Sequence, residues 1–82
     1  MSKSKDAWEA AVIADRLTPA LVQGLVDALR SDCGDAEVAH GEEDAIHQHV
    51  LECLSGGNID EPAECARVAL TTRGLNFVRW YA

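Results

Sequence analysis

Histidine and cysteine are the side chains of this 82-residue chain best suited to chemistry, and His40, His47, His49, Cys53 and Cys65 crowd its middle. His49 and Cys53 are four residues apart, neighbours on one helical face, and Cys65 falls one turn into the next predicted helix. Zinc takes four such ligands in a tetrahedron and a helical hairpin can supply three or four, so His49, Cys53 and Cys65 are the metal candidates. Against a site, the chain has no C-x-x-C or H-x-x-x-H pair, and His47 falls in the apolar arc of its helix, away from His49. A cysteine nucleophile would need oxyanion donors and a third residue to orient its base, and Cys53 beside His49 has neither in the sequence. There is no G-x-G-x-x-G and no phosphate loop, and Gly56-Gly57 reads as a helix stop. No catalytic residue, metal or cofactor is assigned, and the chain is expected not to be an enzyme.

The elements that carry these residues read as helical throughout. Ser4 or Asp6 caps a first helix running to about Leu17, with Trp8, Ala11 and Val12 on one side and Ala10, Ile13, Ala14 and Leu17 on the other. Thr18-Pro19 starts a second, through Leu21, Val22, Leu25, Val26 and Leu29, which Gly34 is expected to stop. Ala20, Gly24 and Ala28 at spacing four predict close approach of another helix, within the chain or from a second copy. Residues 32–44 read as a connector with a short extended piece at Glu37 to Ala39. A third helix follows from about Glu43 to Leu54, with Ile46, Val50, Leu51 and Leu54 as its apolar arc. Asn58 or Asp60 caps a fourth, about Glu61 to Leu70, with Pro62 in its first turn. The last segment reads as a helix capped by Thr71 or Thr72, with a short strand as the alternative. The expectation is an all-α fold, a compact bundle of four to five short helices. Residues 1–5 form a flexible lead and 6–82 a single domain.

A chain of this length buries only about 60% of the surface its unfolded form exposes, which leaves it marginal without a metal, a disulfide or a second copy. Its four aromatics and its supply of Ala, Val and Leu suit close-packed helices over a ligand cavity. Cys33, Cys53 and Cys65 are odd in number and read as free thiols in a reducing, cytoplasmic setting. No apolar run approaches the ~20 residues that span a bilayer. The formal charge of −7 repels nucleic acid and anionic membrane and attracts basic protein surfaces.

Charge is unevenly spread. All fourteen acids lie before Cys65, and residues 32–44 carry six of them, Asp32, Asp35, Glu37, Glu42, Glu43 and Asp44, without a Lys or Arg. After Cys65 come only Arg67, Arg73 and Arg79, together with Phe77, Trp80 and Tyr81. Leu75, Phe77 and Val78 are expected inside; Arg73, Arg79 and Trp80 are expected outside. The six acids, with Arg79 and Trp80, form the candidate protein-binding surface, since acids steer association with a basic partner and Trp and Arg dominate interface energetics. The partner this implies is a basic protein surface, such as that of a nucleic-acid-handling complex, with a homodimer as a further partner. In size and charge, though not in motif, the chain is similar to the small phage-encoded inhibitors of host nucleic-acid machinery, including anti-CRISPR proteins. That resemblance implies an inhibitor that occupies a groove meant for nucleic acid.

Two other readings stand beside it. The segment "CARVALTTRGLNFVRW" resembles the second half of a helix-turn-helix, with Leu75 and Val78 inward and Arg73, Asn76 and Arg79 outward as DNA-contacting residues. It lacks the turn glycine, and its spacing from Ala66 to Leu75 is one residue short. The third reading is a self-associating, toxin–antitoxin-type component with the aromatic tail as its seam.

Overall fold

The computed structural model describes residues 3–77. The chain is the expected small helical bundle: α1 (Lys3–Ile13), α2 (Pro19–Ser31), α3 (Ala36–Gly56) and α4 (Pro62–Leu70), followed by one 3-10 turn, Thr71–Gly74. The thinnest dimension, 16 Å, is room for two helix layers at the usual interaxial distance of about 8–10 Å. α2 is the central element and packs against α1, α3 and α4. Its inward stripe is Val22, Leu25, Val26, Ala28 and Leu29. Thr18 caps it, the hydroxyl accepting from the Leu21 amide at 3.3 Å, and Pro19 opens the first turn.

The junction between α1 and α2 holds the bundle shut. Thr18 precedes a proline and is extended (φ −123°, ψ 160°), so the chain must leave the helix before it. α1 accordingly stops at Ile13, short of the expected Leu17. Leu17 instead forms an isolated parallel bridge with Ile59, in the loop between α3 and α4. Its amide donates to the Asn58 carbonyl at 2.9 Å and its carbonyl accepts from the Asp60 amide at 2.8 Å. Arg16 reinforces the crossing by donating to the Ile59 carbonyl at 2.9 Å and to Asp60 Oδ1 at 2.6 Å. Leu17 and Ile59 are both buried in the core. Burial of each stabilises by roughly 1.5–3 kcal/mol, against about 1 kcal/mol per backbone hydrogen bond, so the apolar side chains are the stronger part of the strap.

Other expectations change. Lys3 to Lys5 belong to α1, inside the segment expected to be a flexible lead. Gly34 does not stop α2; Asp32 is its C-cap, and the connector is confined to residues 32–35. The remainder of the expected connector, with its extended piece at Glu37 to Ala39, is the first two turns of a 21-residue α3. Asp35 starts it by accepting from the Val38 amide at 3.2 Å, and Ala36, Glu37 and Ala39 suit a first turn. Gly57 ends α3 in the left-handed conformation (φ 76°). α4 is capped by neither Asn58 nor Asp60: Glu61 takes that place in the left-handed region (φ 48°, ψ 61°), without a side-chain cap hydrogen bond.

The tail is helical for one 3-10 turn, and Leu75 is extended (φ −75°, ψ 143°). The β-branched Thr71 and Thr72 and the flexible Gly74 give a continuing helix little support. Leu75 and Phe77 pack partly buried against the core, as expected. Val78, Arg79, Trp80 and Tyr81 lie outside the described residues.

Within the described residues the small-residue stripe of α2 is not a close-approach seam. Ala20 is exposed, Ala28 is buried, and a Cβ added at Gly24 would meet nothing within 4 Å. Gly24→Ala should therefore stabilise the fold by about 1 kcal/mol, read as a raised urea midpoint with unchanged m-value. For the strap, Arg16→Met is expected to cost about 1–2 kcal/mol and Asp60→Asn under about 1 kcal/mol. The ion pair is half exposed, whereas the hydrogen bond to Ile59 is partly buried. Equal losses in urea titrations would show that the ion pair, and not the carbonyl contact, carries Arg16.

Candidate interaction surface

The six acids of residues 32–44 do not form one surface. Because α3 begins at Ala36, a helical period distributes Glu37, Glu42, Glu43 and Asp44 around its axis, while Asp32 caps α2 and Asp35 caps α3. Ala39, Glu43, Ile46 and Val50 make the inward stripe, and Glu43 is buried in it at 6% exposure. Glu42 is half-buried on the flank nearest α1, where its carboxyl meets Asp32 from the end of α2 and Ser4 from α1. Its buried Oε2 has no hydrogen-bond partner among the described residues. Asp35 is exposed and serves as the α3 cap. Glu37 is exposed, and so is Asp44, whose Oδ2 lies 3.5 Å from His40 Nε2. Of the expected docking set, Asp35, Glu37 and Asp44 are exposed, while Asp32, Glu42 and Glu43 belong to helix packing. Arg79 and Trp80 fall outside the described residues.

Burial, followed by the neighbouring Asp32 carboxylate, pushes Glu42 up to about 7; the Ser4 hydroxyl pulls the other way. The folded chain thus holds a proton near neutrality that the unfolded chain, with a value near 4.5, has released. The stabilisation from this proton is present below pH ~4.5 and is lost as pH rises through about 7.

The surface carries more carboxylate than its bases neutralise. Arg16 pairs with Asp60, Arg30 with Asp27 and Arg67 with Glu64. The Arg67 contact also holds the Glu64 carboxyl below the usual carboxylate range. No ion pair among the described residues engages Asp6, Glu9, Asp15, Glu37, Glu52 or Glu61. The chain's arginines are largely spent on its own acids, and the residual field is negative.

Apolar side chains interrupt this surface on α1, between α3 and α4, and singly at Val38. On α1, Val12 and Ile13 are 66% and 81% exposed, beside Trp8. Between α3 and α4 runs a groove of about 280 Å³ lined by His47, Val50, Leu51, Ala66, Ala69 and Leu70. Val50 and Ala69 form its buried floor, and Leu51 and Leu70 stand as walls. Leu51 and Leu54, expected in the core, therefore face outward at 65% and 51% exposure. The inward stripe of α3 is Ala39, Glu43, Ile46 and Val50, and Leu51 lies about 100° around the axis from Val50.

His47 lies at one end of the groove. Its Nε2 reaches the Ala69 carbonyl at 3.1 Å and the fully buried Thr72 hydroxyl at 3.0 Å. A carbonyl only accepts, so Nε2 carries the proton and donates, tying α3 to the end of α4.

The metal candidates do not assemble. His49 Nε2 and Cys53 Sγ come within 3.7 Å, and Trp8 meets the His49 ring edge-on with ring centroids 5.5 Å apart. Cys65 turns to the loop and donates to the Asp60 carbonyl at 3.2 Å. Among the described residues no three His, Cys, Asp or Glu side chains converge as a metal would require. Burial pushes the thiols of Cys53 and Cys65 up, away from the thiolate a nucleophile needs. The helix-turn-helix reading meets a similar obstacle. Arg73 lies in the 3-10 turn and Asn76 follows an extended Leu75, so they do not share a recognition helix; Arg79 lies outside the described residues. Among the described residues no helix is long and apolar enough to cross a membrane. Comparison of the chain with protein-family models, with curated proteins and with solved structures returns no match.

Glu42→Gln mimics the protonated carboxyl. At pH 8 it should be more stable than the parent by about 1–2 kcal/mol, a unit of pKa being about 1.4 kcal/mol before screening of a half-buried site reduces it. Near pH 4.5 the two should converge. Urea titrations across that range check this, and a constant offset between the two proteins would refute the assignment to Glu42.

Proposed function

We propose that this chain is a non-enzymatic protein-interaction module that binds a basic protein surface, as an inhibitor or regulator of a nucleic-acid-handling protein would. The observation that carries the reading is the pairing of its own arginines: three are held by Asp60, Asp27 and Glu64, while Asp6, Glu9, Asp15, Glu37, Glu52 and Glu61 are left to act outward. A field of this sign speeds encounter with a cationic surface and disfavours polyanions. The exposed members of the acidic run, Asp35, Glu37 and Asp44, remain its contact residues on α3, joined by Glu52 on the same helix. Asp32, Glu42 and Glu43 serve the interface only indirectly, through the packing of α3.

The test is affinity capture from an extract of the chain's own cells, with mass spectrometry identifying the retained proteins at low and moderate salt. Capture of a strongly basic protein is expected to fall at least tenfold for the triple variant Glu37→Lys, Asp44→Lys, Glu52→Lys, all at exposed positions. Its circular dichroism should match the parent's. Undiminished capture by the variant would remove the acidic surface from the interface. A low-salt gel shift with genomic DNA fragments, lost on Arg73→Ala and Arg79→Ala, would favour the DNA-binding reading instead.

A further inference from the structure

We propose that the groove between α3 and α4 seats an amphipathic helix of the basic partner, with apolar side chains in the groove and Lys or Arg toward the carboxylates beside it. The inference rests on the function proposed above and names the element of the partner that is recognised.

Groove shape comes first. Its volume of about 280 Å³ lies below the roughly 300–1,000 Å³ of sites that enclose small molecules, and it is an open trough. α4 presents small side chains there, the buried Ala69 and the exposed Ala66, beside Leu70, with Val50 as the buried floor on the α3 side. Leu51 and Leu70, 65% and 56% exposed, are free to close on an inserted apolar side chain. A trough between two helices, walled by leucines and floored by small residues, is the receptor half of helix-in-groove recognition, which reads anchors at i, i+3, i+4 and i+7.

Charge then decides between occupants. Glu37, Asp44 and Leu51 are spaced by seven residues along α3, hence on one stripe, which carries carboxylates up to the groove wall. Asp44 is 69% exposed. Across the groove, Arg67 is held by Glu64 and adds little opposing charge. A second copy of this chain would bring the same excess of carboxylates, at a net charge of −7, against that stripe. A helix with a cationic face and an apolar face satisfies both the stripe and the trough.

The probe is an 18-residue peptide with leucines at helical i, i+3, i+4 spacing and lysines elsewhere. Its control is a scrambled peptide of equal composition and charge with no apolar face. Titration into the ¹⁵N-labelled chain should shift amides of Val50, Leu51, Ala66 and Leu70 most. Binding of the scrambled peptide should be at least tenfold weaker. Two variants separate docking from folding: Ala66→Trp plugs the groove at an exposed position, and Leu51→Ser with Leu70→Ser lowers its walls. Both should reduce binding at least tenfold while keeping the dispersed spectrum of the parent, and neither changes the charge.

Equal binding of the two peptides, or shifts centred on Val12 and Ile13 of α1, would overturn the proposal. So would concentration-dependent shifts of the groove amides without peptide, which would give the groove to a second copy. If the lysine-reversed chain loses the captured partner and the groove variants keep it, the acidic-surface reading stands and the groove proposal falls. Loss in both sets supports the two together.

Discussion

The bundle depends on one crossing, the parallel bridge between Leu17 and Ile59. Two loops that would otherwise be solvated are pinned there by reciprocal backbone hydrogen bonds, with both side chains buried in the core and Arg16 bound across the junction. Thr18 and Pro19 force the chain out of α1 before α2 begins, and the bridge satisfies the backbone groups this exposes. Because α2 leaves directly from the crossing and packs against the other three helices, the position of the loop around Ile59 is coupled to the whole core. A domain this small has few apolar contacts to spare, and it invests two of its larger aliphatic side chains in a loop-to-loop contact.

α3 is the second organising element, and its polar interior explains much of the surface. Glu43 lies in the buried stripe, Glu42 shares the corner with Asp32 and Ser4, and His47 binds the end of α4. Leu51 and Leu54 lie outside the inward stripe of this helix and face outward. The result is an acidic protein whose most concentrated acidic segment is partly internal. Its surface charge comes from acids scattered over α1, α3 and the loops, while most of its arginines are held in pairs.

Much of the architecture was legible beforehand because the signals were local. Thr18-Pro19 marked the start of α2, Gly57 closes α3, and Pro62 opens α4, each acting through its own backbone chemistry. Leu75 and Phe77 packed inward as expected of scarce large apolar residues. The signals misread were those that depended on a partner elsewhere. Residues 36–42 looked like a connector because of their acids, although Ala36, Glu37 and Ala39 are good helix formers and Asp35 a good cap. The signal that would have found the helix was the spacing Ala39, Glu43, Ile46, Val50, hidden because a carboxylate fills one inward position. Likewise no helix of the described residues approaches Gly24, which no spacing rule reveals.

What the sequence determined by itself was the helical character of the chain, the start of α2, the end of α3, the extent of α4 and the sign of its field, since propensity, capping and charge are properties of neighbouring residues. What only the tertiary structure decided was which acids are internal, which leucines line a groove, and that His49, Cys53 and Cys65 part company. Those outcomes follow from the angle at which helices meet and from a bridge between residues 42 positions apart in the chain. Direction in space is set by the partner across the contact, and no local pattern carries it.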